Sequence, residues 1–168
     1  MIDRAYLDSI GDNWMVRTDQ DGKGHDGFQW APIGEWTHCP KWSDATTNDC
    51  KSGGLFGQGP RGYGYAQAGT RFLFCETAGG KFVVKGNKVK VQSARILYAG
   101  ADAMAALCHV TKGTFHGSLD LSGCTLPDGL ALPQTVGGSL DLSGAKMGNL
   151  NTDAEIKAAM IANRDAAK

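Results

Sequence analysis

A seven-residue segment, GSLDLSG, occurs twice in this chain and constrains its fold more than any other feature. The first copy covers residues 117–123 and the second covers residues 138–144, so the two copies are 21 residues apart. Repeats at a fixed spacing are typical of units that stack, because one such unit cannot bury its apolar face alone. The segment therefore predicts a small β-solenoid, and a single hairpin sheet with a duplicated turn is the alternative.

Pairs of leucines separated by one residue mark the expected strands of the repeat. Alternate side chains of a strand face opposite sides, so the leucines face the core while Asp120 and Asp141 face away from it. These aspartates are expected to lie side by side on the solvent-facing side of the repeat. In the alternative, the two carboxylates act as a pair in acid–base catalysis. The expected strands recur every ten or eleven residues, because the leucine pairs lie at Leu119/Leu121, Leu130/Leu132 and Leu140/Leu142.

The part of the chain before the repeat predicts an antiparallel β-meander. Gly79-Gly80 and Gly86-Asn87 have the composition of tight hairpin turns. They separate three runs rich in strand-forming residues, at residues 70–76, 81–85 and 88–97.

Helices are expected on both sides of the repeat. Residues 101–109 are rich in alanine and carry apolar residues at helical spacing. Thr152, with Glu155 three residues later, matches a capping box that opens a final helix. The expected fold is α+β: a β-rich domain at residues 1–98, followed at residues 99–168 by a short helix, leucine-rich coils and a helix that caps them.

Composition excludes several classes of function. Seventeen basic residues balance 17 acidic ones, so no net field draws the chain to nucleic acid or to a membrane. No apolar run approaches the roughly 20 residues of a membrane span, and the first residues lack the apolar core of a signal peptide, so we expect a cytoplasmic protein. The five cysteines are irregularly spaced and form no Cys-x-x-Cys pair. We therefore expect neither a disulfide framework nor a bound metal.

Three short motifs follow one another in the middle of the chain. They are GLF at residues 54–56, GYA at residues 64–66, and an apolar strand that ends at Glu76. Over about residues 36–85, this order resembles the core of ADP-ribosyltransferase-like domains.

The resemblance implies NAD as the cofactor. If the chain is not such an enzyme, we expect no cofactor. It implies that His38 is the histidine of the first motif, that Tyr65 stacks on the nicotinamide and that Glu76 is the catalytic acid. The chain departs from the family because the family normally places its glutamate later and often has a hydroxyl or glycine beside the histidine. In the alternative interpretation, Tyr63 and Tyr65 are half-buried strand residues and the glycines are turn positions.

Basic and aromatic residues of the same region predict a binding surface. Arginines, tyrosines and the lysines of the later strands would suit a nucleotide or a single strand of nucleic acid. The alternative is structural, because Lys88 and Lys90 alternate with valines as on a solvent-facing strand. The tryptophans at 30, 36 and 42 are expected in the core of a loop-rich region, where an exposed one would serve as a contact hot spot. The candidate binding residues are Phe56, Arg61, Tyr63, Tyr65, Arg71, Asp120 and Asp141.

The order of segments along the chain also resembles a second group of proteins. An aromatic loop, CKSGGLFGQGPRGYGYA, is followed by strands through KVKVQSARIL and then by the GSLDLSG repeats. Over about residues 28–145, this order resembles small phage and prophage proteins whose amino-terminal domain precedes leucine-rich coils. The resemblance implies an accessory protein that binds a host protein complex in the bacterial cytoplasm, for example as an inhibitor of a CRISPR effector. The coil face or the glycine-aromatic loop would dock, and the open edge of the coils would allow a homodimer.

Overall fold

The fold combines three helices with a mostly antiparallel sheet, which confirms the α+β class. A computed structural model describes residues 1–20, 22–24, 27–44, 53–60, 71–84, 88–115, 117–126 and 128–166. The helices are α1 (Arg4–Ile10), α2 (Gly100–Val110) and α3 (Asp153–Ala166). The long sheet contains β1 (Trp14–Asp19), β2 (Trp36–His38), β3 (Leu55–Gln58), β4 (Arg71–Val84) and β5 (Lys88–Ala99). Six two-residue strands follow: β6 (Thr114–Phe115), β7 (Leu119–Asp120), β8 (Thr125–Leu126), β9 (Thr135–Val136), β10 (Leu140–Asp141) and β11 (Lys146–Met147).

Four strands of the long sheet close into a barrel. The strand order is β2-β5-β3-β1-β4, and an additional pairing of β4 with β5 completes the circle. The interior is narrow, because a Cβ added at Gly57 would lie 2.7 Å from the Met15 sulfur. Buried apolar side chains fill it: Met15, Trp30, Leu55, Leu73, Cys75, Val89, Val91, Ala94 and Ile96.

The strand β2 joins the barrel from outside. One edge of β5 pairs with β3 from Lys88 to Val91 and then with β2 from Ser93 to Arg95. The sequence leads us to expect a loop-rich region around Trp36, and this expectation is wrong at the three residues of β2.

The predicted hairpin turn at Gly79-Gly80 is also wrong. The runs at 70–76 and 81–85 belong to one strand, β4, which pairs with β5 and shifts register between Ala78 and Lys81. A Cβ at Gly79 would lie 2.7 Å from Gln92 Oε1, and one at Gly80 would lie 2.7 Å from the Trp42 ring. The two glycines thus let neighbouring side chains approach an irregular strand. The second predicted turn, at residues 86–87, lies outside the described residues.

The two GSLDLSG copies lie side by side, in register, 21 residues apart. The strands β6, β7 and β8 pair in parallel with β9, β10 and β11, and Leu119 lies opposite Leu140. The N–H of Leu119 donates to Ser139 O at 2.8 Å, and the N–H of Leu121 donates to Asp141 O at 2.8 Å. The predicted step of ten or eleven residues is therefore wrong for the pairing of these strands.

The third leucine pair packs against the last helix instead of forming a strand. Asn163 of α3 donates its side-chain N–H to Leu130 O at 3.1 Å, and the N–H of Leu132 donates to Met160 O at 3.1 Å. The capping box that opens α3 is confirmed, because Glu155 N donates to Thr152 Oγ1 at 3.3 Å and Thr152 N donates to Glu155 Oε2 at 3.3 Å.

One apolar cluster joins the barrel, the helices and the repeat. Phe72 and Phe74 from the outer face of β4 belong to it, together with Met104 of α2, Leu121 of the repeat and Ile156 of α3. Within the described ranges, no helix is long and apolar enough to cross a membrane.

Replacement of Gly138 by alanine should destabilise the stacked copies. A Cβ there would lie 2.4 Å from Ser118 Oγ and 2.8 Å from Ser118 N, so backbone must move. We expect the free energy of unfolding to fall by about 1–3 kcal/mol, as in other overpacked sites. Chemical denaturation measures it. The control is Lys157→Ala, at an exposed position of α3, which should change stability by no more than about 0.5 kcal/mol; equal effects of the two variants would contradict the close stacking.

Candidate binding surface

Arg95 is the centre of a cluster of polar and aromatic side chains on the outer face of the sheet. Its strand lies between β2 and β4, and the register places Arg95 beside Trp36 on one side and Glu76 on the other. The Nε of Arg95 donates to Glu76 Oε2 at 2.7 Å. Its Cζ lies 5.0 Å from the centroid of a Trp36 ring. Such a cation–π contact contributes about 0.5–1 kcal/mol at an exposed site and more where water is excluded.

Tyr6 of α1 completes this cluster. Its hydroxyl donates to Glu76 Oε2 at 2.8 Å and accepts a hydrogen bond from Arg95 Nη2. Burial and the hydrogen bond to Glu76 raise the pKa of Tyr6. The hydrogen bond to Glu76 also raises the pKa of Arg95. Tyr6 is therefore neutral at pH 7 and Arg95 is charged, with Glu76 as its partner.

Exposed side chains extend this cluster into a surface. His38 is exposed, and its Nδ1 lies 2.8 Å from Ser93 Oγ. Ile33, in the turn before β2, is 52% exposed; among the described residues, Met1 is the one other large apolar side chain with such exposure. We name Tyr6, Trp36, His38 and Arg95 the Trp36 surface.

Two residues of the ADP-ribosyltransferase-like pattern lie on or beside the Trp36 surface. His38 and Glu76 are on the same face of the sheet, and Ser93 and Arg95 of β5 lie between them. The Glu76 side chain is 15% exposed and its carboxylate is already bound by Arg95. The third residue of the pattern, Tyr65, lies outside the described residues.

Phe56 is separate from the Trp36 surface and lies beside a buried lysine. It is half-buried on β3, opposite Lys90 of β5. Lys90 is fully buried, so its prediction as a solvent-facing residue is wrong. Its Nζ lies 5.4 Å from the centroid of a Trp42 ring, and a Cβ at Gly54 would lie 2.5 Å from its Cγ. Packing by the glycine and the tryptophan therefore keeps this lysine away from any phosphate group in solvent.

Arg71, at the start of β4, is held by a buried carboxylate. Its Nε and Nη2 donate to the two oxygens of Asp19 at 3.0 and 2.6 Å. The Asp19 side chain is 0% exposed, whereas that of Arg71 is 38% exposed. A cavity of about 370 Å³ lies beside Arg71 and is lined in part by Phe72, Leu126 and Leu130. The geometry gives Arg71 a structural role at one end of the strand.

Asp120 and Asp141 lie next to each other in the paired strands of the repeat. Asp120 Oδ1 accepts from the N–H of Ser122 at 2.9 Å, and Asp141 Oδ1 accepts from the N–H of Ser143 at 2.9 Å. The hydrogen bonds from Ser143 lower the pKa of Asp141. Each carboxylate therefore stabilises the turn that follows it, and Asp141 remains charged at neutral pH.

The structure brings no other candidate residue to the Trp36 surface. Arg61, Tyr63 and Tyr65 lie outside the described residues. Among the side chains that are described, no group of three His, Cys, Asp or Glu residues is placed to hold a metal ion.

Comparisons with known proteins identify no relative. A scan against protein-family models, a search of curated proteins and a search of solved structures each found no match.

Sequence reasoning does not find the partners that define the Trp36 surface. Tyr6 and Arg95 are 89 residues apart, and no motif joins them. The spacing of the tryptophans gives a partial signal, since an exposed one is expected to be a contact hot spot. Trp30 is buried in the structure, whereas Trp36 and Trp42 are half-buried.

Removal of the Arg71 guanidinium should destabilise the protein strongly. Arg71→Met removes the guanidinium that bonds both oxygens of the buried Asp19 carboxylate, and loss of one partner of a buried ion pair costs about 3–5 kcal/mol. Denaturant unfolding measures the loss, and Arg4→Met, at an exposed position of α1, is the control. The double variant Asp19→Leu/Arg71→Met should recover part of the stability, because it also removes the buried carboxylate. If Arg71→Met costs no more than Arg4→Met, the structural role of this ion pair is wrong.

Proposed function

We propose that this chain acts by binding another protein through the Trp36 surface. The observation that carries the proposal is the joint presence of Trp36, Arg95 and Tyr6 in one partly exposed cluster. Tryptophan, tyrosine and arginine are the residues that most often dominate the energy of protein–protein contacts.

The cluster is ordered before any partner arrives. Glu76 holds Arg95 through a charge-assisted hydrogen bond, and Tyr6 bonds to both side chains. Binding therefore immobilises fewer side chains, each of which would otherwise cost about 0.5–1.5 kcal/mol. This supports a role in recognition of a partner with a defined shape.

The wider proposal is a phage-type accessory protein that binds a bacterial host complex in the cytoplasm, such as an inhibitor of a CRISPR effector. Its basis is the resemblance of residues 28–145 to phage proteins with leucine-rich coils. In this proposal the paired GSLDLSG copies are two coils of a short β-solenoid, and the three parallel ladders with a common 21-residue offset support it. A stacked array of this kind would give the Trp36 surface a rigid support.

An ADP-ribosyltransferase-like enzyme is the second candidate function. The position of His38 and Glu76 on one face of the sheet favours it. The ion pair of Glu76 with Arg95 disfavours it, because a catalytic acid must be free to contact the sugar of NAD. Nucleic-acid binding has less support, since Lys90 is buried and Arg71 is paired with Asp19.

Trp36→Ala should abolish capture of the partner without unfolding the chain. The tagged protein is used to capture proteins from a bacterial lysate that carries an active CRISPR system, and mass spectrometry identifies the bound proteins and any added ADP-ribose. Loss of a hot-spot tryptophan costs about 2 kcal/mol or more, which is about a 30-fold loss of affinity.

The control variant is Lys146→Ala, at an exposed position of β11 and outside the Trp36 surface. It should bind the partner as the natural chain does. Equal capture by Trp36→Ala and the natural chain would exclude the Trp36 surface as the binding site. Partners that carry ADP-ribose, with loss of that modification in His38→Ala, would favour the enzyme instead.

A further inference from the structure

The strand β2 has one paired edge and one open edge. Its paired edge faces β5, with Thr37 opposite Ala94 in an antiparallel register. In the part of the chain that the structure describes, no strand pairs with its other edge. An open strand edge carries backbone N–H and C=O groups that another extended chain can satisfy.

The direction of the backbone groups identifies which residues form the open edge. The N–H of Cys39 donates to Gln92 O at 2.9 Å, which continues the register of Thr37 with Ala94. In an antiparallel pair, successive residues point their backbone groups alternately toward and away from the partner strand. Thr37 and Cys39 therefore face β5, and Trp36 and His38 direct their N–H and C=O groups outward.

The surroundings leave this edge accessible while they anchor the strand. Glu35, His38 and Pro40 are exposed along β2 and its flanks. Thr37 is buried, and its Oγ1 accepts from the N–H of Ala31 at 3.0 Å. The strand is thus fixed from its inner side and open on its outer edge.

We infer that the open edge of β2 receives an extended segment of a partner protein, which adds a strand through backbone hydrogen bonds to Trp36 and His38. The inference rests on the proposed function, because it states how the partner engages the Trp36 surface. An added strand would place alternate side chains on the face that contains Trp36 and Arg95. An apolar side chain at that position would pack beside Trp36.

A flexible segment fits this edge better than a second copy of the chain. The edge is three residues long. A stable pair of globular proteins buries about 1,200–2,000 Å² in total, which so short a contact between two rigid surfaces does not supply. An extended segment, in contrast, can follow the edge and also cover the adjacent Trp36 surface.

Amide hydrogen exchange of the full chain, measured by NMR, tests the inference. The probe is a peptide selected on the natural chain from a random linear-peptide display library, with counter-selection on Trp36→Ala. In the free chain, the amides of Trp36 and His38 should exchange faster than those of Thr37 and Cys39. With the peptide bound, exchange at Trp36 and His38 should slow by at least about tenfold, because these amides become hydrogen-bonded.

A pair of variants separates backbone pairing from side-chain contact. His38→Pro removes the outward N–H and leaves the bonds to β5 in place, and strand edges tolerate proline. His38→Ala removes the ring and keeps the N–H. Both variants lose the ring and only His38→Pro loses the N–H, so peptide affinity should be at least about tenfold lower in His38→Pro than in His38→Ala; equal affinities would contradict backbone pairing.

Several outcomes overturn strand addition. A bound peptide that leaves the Trp36 and His38 amides unprotected would show that the partner uses the side chains alone, and the proposed function would survive. Protection that grows with protein concentration without peptide would make a second copy the occupant. If the library yields no peptide whose binding requires Trp36, the inference is also wrong, whatever proteins the lysate capture identifies.

Discussion

The narrow interior of the four-stranded barrel is the constraint on which the other features depend. The approach of Gly57 to Met15 shows that the barrel has no room for a further side chain at that level. Leu73 and Ile96 fill that interior, whereas larger side chains of the same two strands, such as Phe74 and Arg95, lie on the outer face, where other elements cover them. Phe72 and Phe74 are covered by the helices and the repeat, whereas Glu76 and Arg95 are covered in part by Tyr6 and Trp36.

The same long strands thus carry two different environments on their outer face. At Phe74 the contacts are apolar and continuous with the core of the repeat. Two residues further along β4, Glu76 begins the polar and aromatic cluster of the Trp36 surface. A rigid strand connects the two, so the position of the repeat and the position of Arg95 are linked through the backbone of β4 and β5.

Local signals in the sequence predict α2 and α3 and fail for several of the strands. The capping box of Thr152 and Glu155 needs only four consecutive residues, and the structure confirms it. Within the continuous strand β4, Gly80 lies against the Trp42 ring, a contact that no local pattern contains. The spacing of the leucines does not distinguish a strand from a segment that packs on α3, which is where Leu130 and Leu132 lie. The Trp36 surface could not be predicted because it unites residues of α1, β2 and β5, which are far apart in the sequence.

Register between the two copies of the repeat also bears on how such a chain can change over evolution. Each ladder pairs residues that are 21 positions apart, so the two GSLDLSG copies pair residue by residue with the same amino acids. Duplication of one 21-residue unit would present the same hydrogen-bonding groups again, with neighbouring strands about 4.8 Å apart. Tandem duplication could therefore change the length of this array in whole steps while the residues inside the barrel stay the same.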